Sequence, residues 1–340
     1  MKAIFGTVVV FLTLFNTAAL AQIAAPSILP GHVWGMDPAQ YFNLANTEVD
    51  SAALTRLTFL PENPAAMQWS PHSSMGFGLL SSDGTFKGGA GLKIEAKHKG
   101  QFFGGAFVGE YASIGVEYLN FSGDSPLMKN QNGRVSNMAA AFQLFDMFAI
   151  GVNDSVFYQD FDFTPAGVRI TSRRDATSLG TSIKLGEIFF VGLQSSKEDL
   201  TLVNKSNGAT VELSRGTQGA GIGLMGSGST QWHVEIYQIS KKEETNGSES
   251  LNGEIESGLM AEVQLGDFLL GVHMLDNITR HAQPTATKTN FNTSAINVAT
   301  VTDSGWTFAY HFDHSTIKPQ DSYQYSNGAY NQSLSAGYRF

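Results

Sequence analysis

Residues 331–340 read NQSLSAGYRF, and this stretch decides the predicted fold of the chain. Its apolar phase contains Leu334, Ala336, Tyr338 and Phe340, and its other phase is small or polar. A period of two with unlike faces predicts a β-strand. Such a strand suits a wall with lipid on one side and a wet lumen on the other. A soluble edge strand is the alternative interpretation.

The terminal aromatic pair resembles the closing strand of bacterial outer-membrane β-barrels. That strand commonly ends in Phe with another aromatic residue two positions earlier, which correspond here to Phe340 and Tyr338. The resemblance implies two partners: the barrel-assembly machinery, which would recognise Phe340, and the lipid of the outer membrane.

Residues 1–21 predict a cleaved secretory signal. Lys2 precedes a mostly apolar run at 3–15, and Ala19-Leu20-Ala21 provides small residues at the cleavage site. The run is too short to span a membrane as a helix. We therefore expect export, a mature chain that begins at Gln22, and a location in the outer membrane of a Gram-negative cell.

Composition supports an exported barrel. The chain has 36 Gly and no Cys among 340 residues, so strands and turns are favoured and disulfides are excluded. Its 21 basic and 30 acidic residues give a net charge of −9, which argues against nucleic acid as a partner.

Residues 22–71 do not alternate and are predicted to form an N-terminal plug that fills the lumen or lies beneath it. The segment is rich in proline and in large apolar side chains, which a disordered tail rarely carries. A flexible periplasmic tail is the alternative.

Residues 72–340 predict an antiparallel transmembrane β-barrel of about fourteen strands. Short and longer polar connections alternate along it, as periplasmic turns and extracellular loops do. The predicted strands are 72–80, 86–97, 101–121, 134–146, 147–159, 176–186, 187–203, 209–226, 229–241, 253–265, 268–280, 291–301, 305–316 and 327–340.

The cost of placing charge against lipid assigns the two faces of each strand. The apolar phase is predicted to face lipid and the polar phase to face the lumen. The predicted lumen set contains the following acidic and imidazole side chains: Glu117, His233, Glu235, Glu256, Glu262, His273 and His311.

The motif Asn63-Pro64-Ala65 leads from the predicted plug into the first strand. Together with the plug-then-barrel order and the strand count, it resembles the long-chain fatty-acid transporter (FadL) family. The resemblance implies transport of a hydrophobic small molecule, an N-terminal plug, and a kinked third strand that opens the wall sideways. A turn without shared ancestry is the alternative reading of the motif.

Predicted strand 101–121 carries Gly109 followed by Glu110, which interrupts the apolar phase. A mid-strand Gly beside a charge predicts a bulge and hence a lateral port in the wall. The same phase places Phe103, Phe107 and Tyr111 in the lumen, where they would suit an apolar ligand. The alternative is that Gly109-Glu110 forms a hairpin turn.

The sequence contains no nucleophile and base at a catalytic spacing, no phosphate-binding loop and no zinc motif. We therefore predict that the protein is not an enzyme and has no cofactor or metal. Three functions stay open from the sequence. They are transport of a hydrophobic solute, diffusion through a general porin, and a structural or host-contact role without transport.

Overall fold

In a computed structural model, the structure describes residues 63–70, 72–87, 93–124, 128–164, 167–186, 188–226, 230–245, 248–281, 289–319 and 326–340. The predicted signal peptide at 1–21 and residues 22–62 of the predicted plug lie outside these ranges. Within the ranges, no helix has the length and apolar character needed to cross a bilayer.

Fourteen antiparallel strands close into one barrel, in which each strand pairs with its neighbours in the chain and β1 pairs with β14. The predicted all-β barrel is therefore confirmed. The strands are β1 (Ser74–Lys87), β2 (Lys93–Val108), β3 (Ala112–Asp124), β4 (Met128–Phe145), β5 (Phe148–Phe163), β6 (Val168–Leu185), β7 (Phe189–Asn204), β8 (Thr210–Gly226), β9 (Gln231–Thr245), β10 (Ser248–Leu265), β11 (Phe268–His281), β12 (Thr289–Val301), β13 (Trp306–Pro319) and β14 (Ser326–Arg339).

The carboxyl-terminal strand closes the ring. β14 pairs along its length with β1, and the Phe340 backbone N–H donates to the Ser73 carbonyl at 3.0 Å. Tyr338 contacts both Trp306, with ring centroids 5.3 Å apart, and Phe340, at 6.4 Å. The aromatic residues therefore gather at the end of the barrel where the chain finishes, which we call the lower end.

An outward-facing apolar belt surrounds the lower half of the barrel. Its exposed large side chains include Met75, Phe77 and Leu79 on β1, Ile114 and Val116 on β3, Met138 and Phe142 on β4, Leu270 and Val272 on β11, and Phe308 and Tyr310 on β13. Each strand has 13 to 18 residues, more than the roughly 9–11 that cross a bilayer. The strands therefore extend above the belt, where their outward residues become polar.

The predicted bounds of the first three strands are wrong, although their number is right. Residues 98–100, predicted to be a turn, lie inside β2 and pair with β1. The hairpin turn lies instead at 109–111, where the Gly109 N–H donates to the Ala112 carbonyl at 2.9 Å. Predicted strand 101–121 is therefore the lower half of β2 and most of β3, joined by the hairpin turn that was the alternative.

The upper connections are shorter than predicted. The polar stretches at 122–133 and 160–175 were expected to be loops, yet β3 and β4 pair up to residues 123 and 131, and β5 and β6 up to 163 and 168. A polar sequence continues as strand above the belt because the strand ladder satisfies its backbone N–H and C=O groups there equally well.

Candidate functional site

The Asn-Pro-Ala motif forms the start of a short 3₁₀ helix, Pro64–Trp69, inside the barrel. The Asn63 side-chain oxygen accepts a hydrogen bond from the Ala65 N–H at 3.1 Å, and Pro64 occupies the first turn, where no N–H is needed. Residues 63–69 are all buried. We call residues 63–70 the lumen segment.

Two side chains tie the lumen segment to β6. The Asn63 amide donates to the Thr181 carbonyl at 2.9 Å. The Trp69 indole N–H donates to Ser182 Oγ at 2.8 Å. Asn63 therefore both caps the helix and binds the barrel wall, which accounts for Asn rather than Ser or Asp at this position.

Gln68 ties the other side of the segment to the β2–β3 turn. Its amide donates to the carbonyls of Gly109 at 2.8 Å and Glu110 at 3.1 Å, and Ser113 Oγ donates to its amide oxygen at 2.7 Å. The lumen segment therefore bridges the lower end of the barrel from β6 to the β2–β3 turn.

Two glycines make room for the motif. Gly151 on β5 and Gly180 on β6 are direct cross-strand partners. A Cβ at Gly151 would lie 2.5 Å from Ala65 N, and one at Gly180 would lie 3.0 Å from Pro64 Cδ. We call this pair the glycine notch, because any side chain there would displace residues 63–65.

A buried apolar cluster lies at the lower end of the barrel. Trp69 belongs to a buried cluster whose other members come from the lumen segment and from strands on both sides of the barrel. These members are Ala65, Ala149, Phe190, Met225, Leu269, Ala299 and Ala309. The lumen segment and these strands therefore share one apolar cluster at the lower end of the barrel.

Above this floor, one side of the lumen is aromatic. Buried side chains from β1 to β5 form one cluster, which we call the aromatic wall: Leu80, Phe102, Leu119, Phe121, Val135 and Phe157. The rings of Phe121 and Phe157 stack with centroids 6.0 Å apart and planes 3° from parallel. Phe161 and Phe163 are buried farther along β5. The sequence interpretation missed this wall, although Phe157, Phe161 and Phe163 share one strand phase.

The side of the lumen formed by β9, β10 and β13 is polar. His233, Glu235, Glu262 and His311 are buried there, and His233 Nε2 lies 3.7 Å from Glu235 Oε2. Glu117 on β3 is also buried. These five side chains have the predicted inward orientation, and a role in ligand binding stays a prediction.

The side chains of Glu256 and His273 lie outside the described set. Their backbones pair with Ile239 and Met260, respectively.

The predicted lumen position of Phe103, Phe107 and Tyr111 is wrong. Phe103 and Phe107 face outward in the belt with 56% and 59% of their surface exposed, and Tyr111 lies in the hairpin turn. Because of the turn, the alternation does not continue from β2 into β3. Even-numbered residues face the lumen on β2, and odd-numbered residues face it on β3. Phe102, not Phe103, therefore belongs to the lumen.

The predicted lateral port at Gly109 and Glu110 is also wrong. These residues form the turn, where a hydrogen bond from the Tyr111 hydroxyl to the Glu110 carboxylate raises the pKa of Tyr111. β2 and β3 pair without a register break from residues 97 and 124 to 108 and 113. Among the described strand segments, every neighbouring pair is hydrogen-bonded, so their ladder leaves no gap in the wall.

These features define a class of structure: a closed fourteen-stranded antiparallel barrel with an internal segment bound at its lower end. No protein-family model and no curated protein sequence matches the chain.

Several solved structures share this fold. The Pseudomonas putida toluene transporter TodX is 11% identical, with a TM-score of 0.57 over 89% of this chain and 97% of that one. A Pseudomonas aeruginosa FadL homologue is 8% identical, with a TM-score of 0.59 over 88% and 96%. The Ralstonia pickettii toluene transporter TbuX is 10% identical, with a TM-score of 0.53 over 88% and 100%. The resemblance to FadL-type barrels is thus confirmed at the level of the fold.

Proposed function

We propose that this protein carries small hydrophobic compounds across the outer membrane. The observation that supports it best is the aromatic wall, a continuous set of buried apolar side chains inside a barrel whose lower half is also apolar on the outside. An apolar lining does not suit an ion-conducting pore, because such pores select ions with rings of charged side chains or with backbone carbonyls. The names of TodX and TbuX, both toluene transporters, favour the same solute class.

Contact with the aromatic wall makes the transfer of an apolar solute from water into the lumen favourable. An apolar solute leaving water gains about 25 cal/mol for each Å² that it buries, and a ring stacked on Phe121 or Phe157 adds roughly 0.5–1.5 kcal/mol. The solute enters from the upper end, moves along the wall, and reaches the floor at Trp69.

Passage beyond the floor requires the lumen segment to shift. Its tethers to Thr181, Ser182 and the β2–β3 turn each contribute about 0.5–1.5 kcal/mol, so thermal release of the segment is accessible. This route replaces the lateral port predicted from the sequence. The outer-membrane location rests on the belt, the barrel fold and the predicted signal at 1–21.

Uptake into lipid vesicles tests the proposal. We expect vesicles containing the protein to take up labelled toluene or a long-chain fatty acid faster than empty vesicles. The double variant Phe121→Ala/Phe157→Ala removes two rings from the wall and should lower the rate about 5- to 150-fold. Phe103→Ala, which removes an outward ring from the same region, should leave it unchanged.

Two outcomes contradict the proposal. Equal uptake by loaded and empty vesicles would favour a structural barrel, whereas passage of hydrophilic sugars through the wild type would favour a diffusion porin. The heat-modifiable mobility of each variant on a gel confirms that it is folded before the rates are compared.

A further inference from the structure

We propose that Lys99 and Arg134 bind the phosphates of lipopolysaccharide in the outer leaflet. The inference goes beyond solute transport, and it rests only on the outer-membrane location given under the proposed function. We call these two side chains, with the neighbouring amides of Gln101 and Asn120, the cationic edge.

The cationic edge lies immediately above the apolar belt. On β2, the outward positions change from Phe107 and Phe103 to Gln101 and then Lys99. On β4, they change from Phe142 and Met138 to Ser136 and then Arg134. The lower end of the barrel carries the chain terminus and faces the periplasm, so the upper margin of the belt is at the headgroups of the outer leaflet.

The residues of the edge are neighbours in the ladder. Gln101 pairs with Asn120 on β3, and Asn120 pairs with Arg134 on β4. Lys99 lies one outward position above Gln101. With strands about 4.8 Å apart and about 3.4 Å per residue, the backbones of Lys99 and Arg134 are about 12 Å apart. Two long side chains converge over that distance on one phosphate, or each binds one phosphate of a bisphosphorylated headgroup.

Arg134 is oriented for this contact. Its guanidinium carbon lies 5.3 Å from the ring centroid of Tyr158, the residue that pairs with Arg134 on β5. A guanidinium held over an aromatic face keeps its N–H groups free at the edges of the plane, where they donate to phosphate oxygens.

Neither cation has a carboxylate partner within the described part of the chain. Lys99 pairs in register with Ser81 and Ser122, and neither it nor Arg134 forms an ion pair there. The carboxylate beyond Tyr158, Asp160, already accepts hydrogen bonds from Tyr158 at 3.0 Å and Thr171 at 2.6 Å.

Two other outward cations, by contrast, are ion-paired within the protein. Arg173 binds Asp175 at 2.9 Å, and Lys197 binds Asp199 at 2.9 Å. Lys99 and Arg134 therefore differ from these two cations in lacking an ion pair among the described residues, on a chain whose net charge is −9. The nearest outward carboxylates above Lys99, Asp83 and Asp124, lie opposite Lys97 in the ladder. An anionic lipid headgroup is the partner that such an edge, continuous with a lipid-facing belt, fits best.

Lipid binding to the purified full-length protein in detergent tests this inference, with native mass spectrometry as the readout. We expect bisphosphorylated lipid A to bind the wild type more tightly than dephosphorylated lipid A. Each headgroup cation contributes about 1 kcal/mol, so Lys99→Gln or Arg134→Gln should weaken binding about fivefold and the double variant about 25-fold.

Two further variants serve as controls. Arg173→Gln/Lys197→Gln removes the same charge from ion-paired positions and should leave lipid A affinity within about twofold of wild type. Lys99→Arg/Arg134→Lys keeps both charges and should retain binding, which separates loss of charge from loss of folding.

Equal affinity of the double variant and the wild type would overturn the inference, as would an equal loss in the ion-paired control. Competition by millimolar inorganic phosphate as strong as that by lipid A would also overturn it, because a free anion would then suffice. Hydrocarbon uptake by Lys99→Gln/Arg134→Gln should match the wild type, so failure of the transport proposal is measured separately.

Discussion

The glycine notch offers the sharpest test of how the lumen segment is held. In Gly180→Ala, the new Cβ would lie 2.9 Å from Asn63 Cγ and 3.0 Å from Pro64 Cδ, closer than side-chain atoms normally approach. Asn63 must therefore shift and weaken its hydrogen bond to the Thr181 carbonyl. We expect the variant to fold as a barrel, with the lumen segment released more often.

The size of the effect follows from the packing. Adding a methyl group to a close-packed site costs about 1–3 kcal/mol, because the neighbours move off their preferred positions. Continuous hydrogen-bond ladders hold the barrel strands, whereas a few tethers hold the lumen segment. The added methyl group therefore destabilises the docked position of the segment rather than the barrel. Since 1.4 kcal/mol is a factor of ten, the released population should rise about 5- to 150-fold.

A single introduced thiol measures that population. The chain has no Cys, and Met67 is only 2% exposed in the lumen segment, so Met67→Cys provides one buried reporter. Its labelling rate with a water-soluble maleimide follows the fraction of released segment when docking is fast. The rate should rise by the stated factor when Gly180→Ala is added.

Gly216→Ala is the matched control. A Cβ at Gly216 on β8 would have no heavy atom within 4 Å, apart from its chain neighbours, so labelling should stay at the Met67→Cys rate. Equal labelling of the Gly180→Ala and Gly216→Ala proteins would refute the notch as the site that holds the segment.

Two further predictions concern assembly and topology. Deleting Phe340 removes its backbone hydrogen bond to Ser73 and its stacking on Tyr338, so the heat-modifiable barrel should form more slowly in cells. Assembly at the normal rate would contradict the role of the terminal residue. An epitope tag at Gly266-Asp267, in the lower β10–β11 turn, should be hidden from antibody on whole cells, whereas a tag at Asn246-Gly247 should be detected. The reverse labelling pattern would mean that the barrel has the opposite orientation in the membrane.

The alternation of residues within one strand was sufficient to predict which side chains face outward. On β9 and β13, Trp232 and Phe308 face outward while His233 and His311 face inward, as alternation predicted. The reason is local: a charged or polar side chain against lipid costs several kcal/mol, so the pattern must appear in the sequence itself.

Local pattern failed at the β2–β3 turn. Gly109-Glu110 is compatible with a bulge or with a hairpin, and the two differ only in whether the strand phase continues. The pairing of Phe103 with Phe77 on β1 and Tyr118 on β3 settles the matter, because it requires the chain to reverse between them. The alternation of residues within one stretch of sequence does not show which other strands that stretch pairs with.

The sequence by itself determined an all-β chain, its strand number, most of its outward-facing side chains, and Asn63-Pro64-Ala65 as a distinct motif. Only the tertiary structure decided what that motif does. The amide of Asn63 binds a carbonyl 118 residues away, and the notch it occupies joins glycines on two strands. Such contacts arise when the barrel closes, and their residue types carry no local signal because glycine and asparagine also serve ordinary turns.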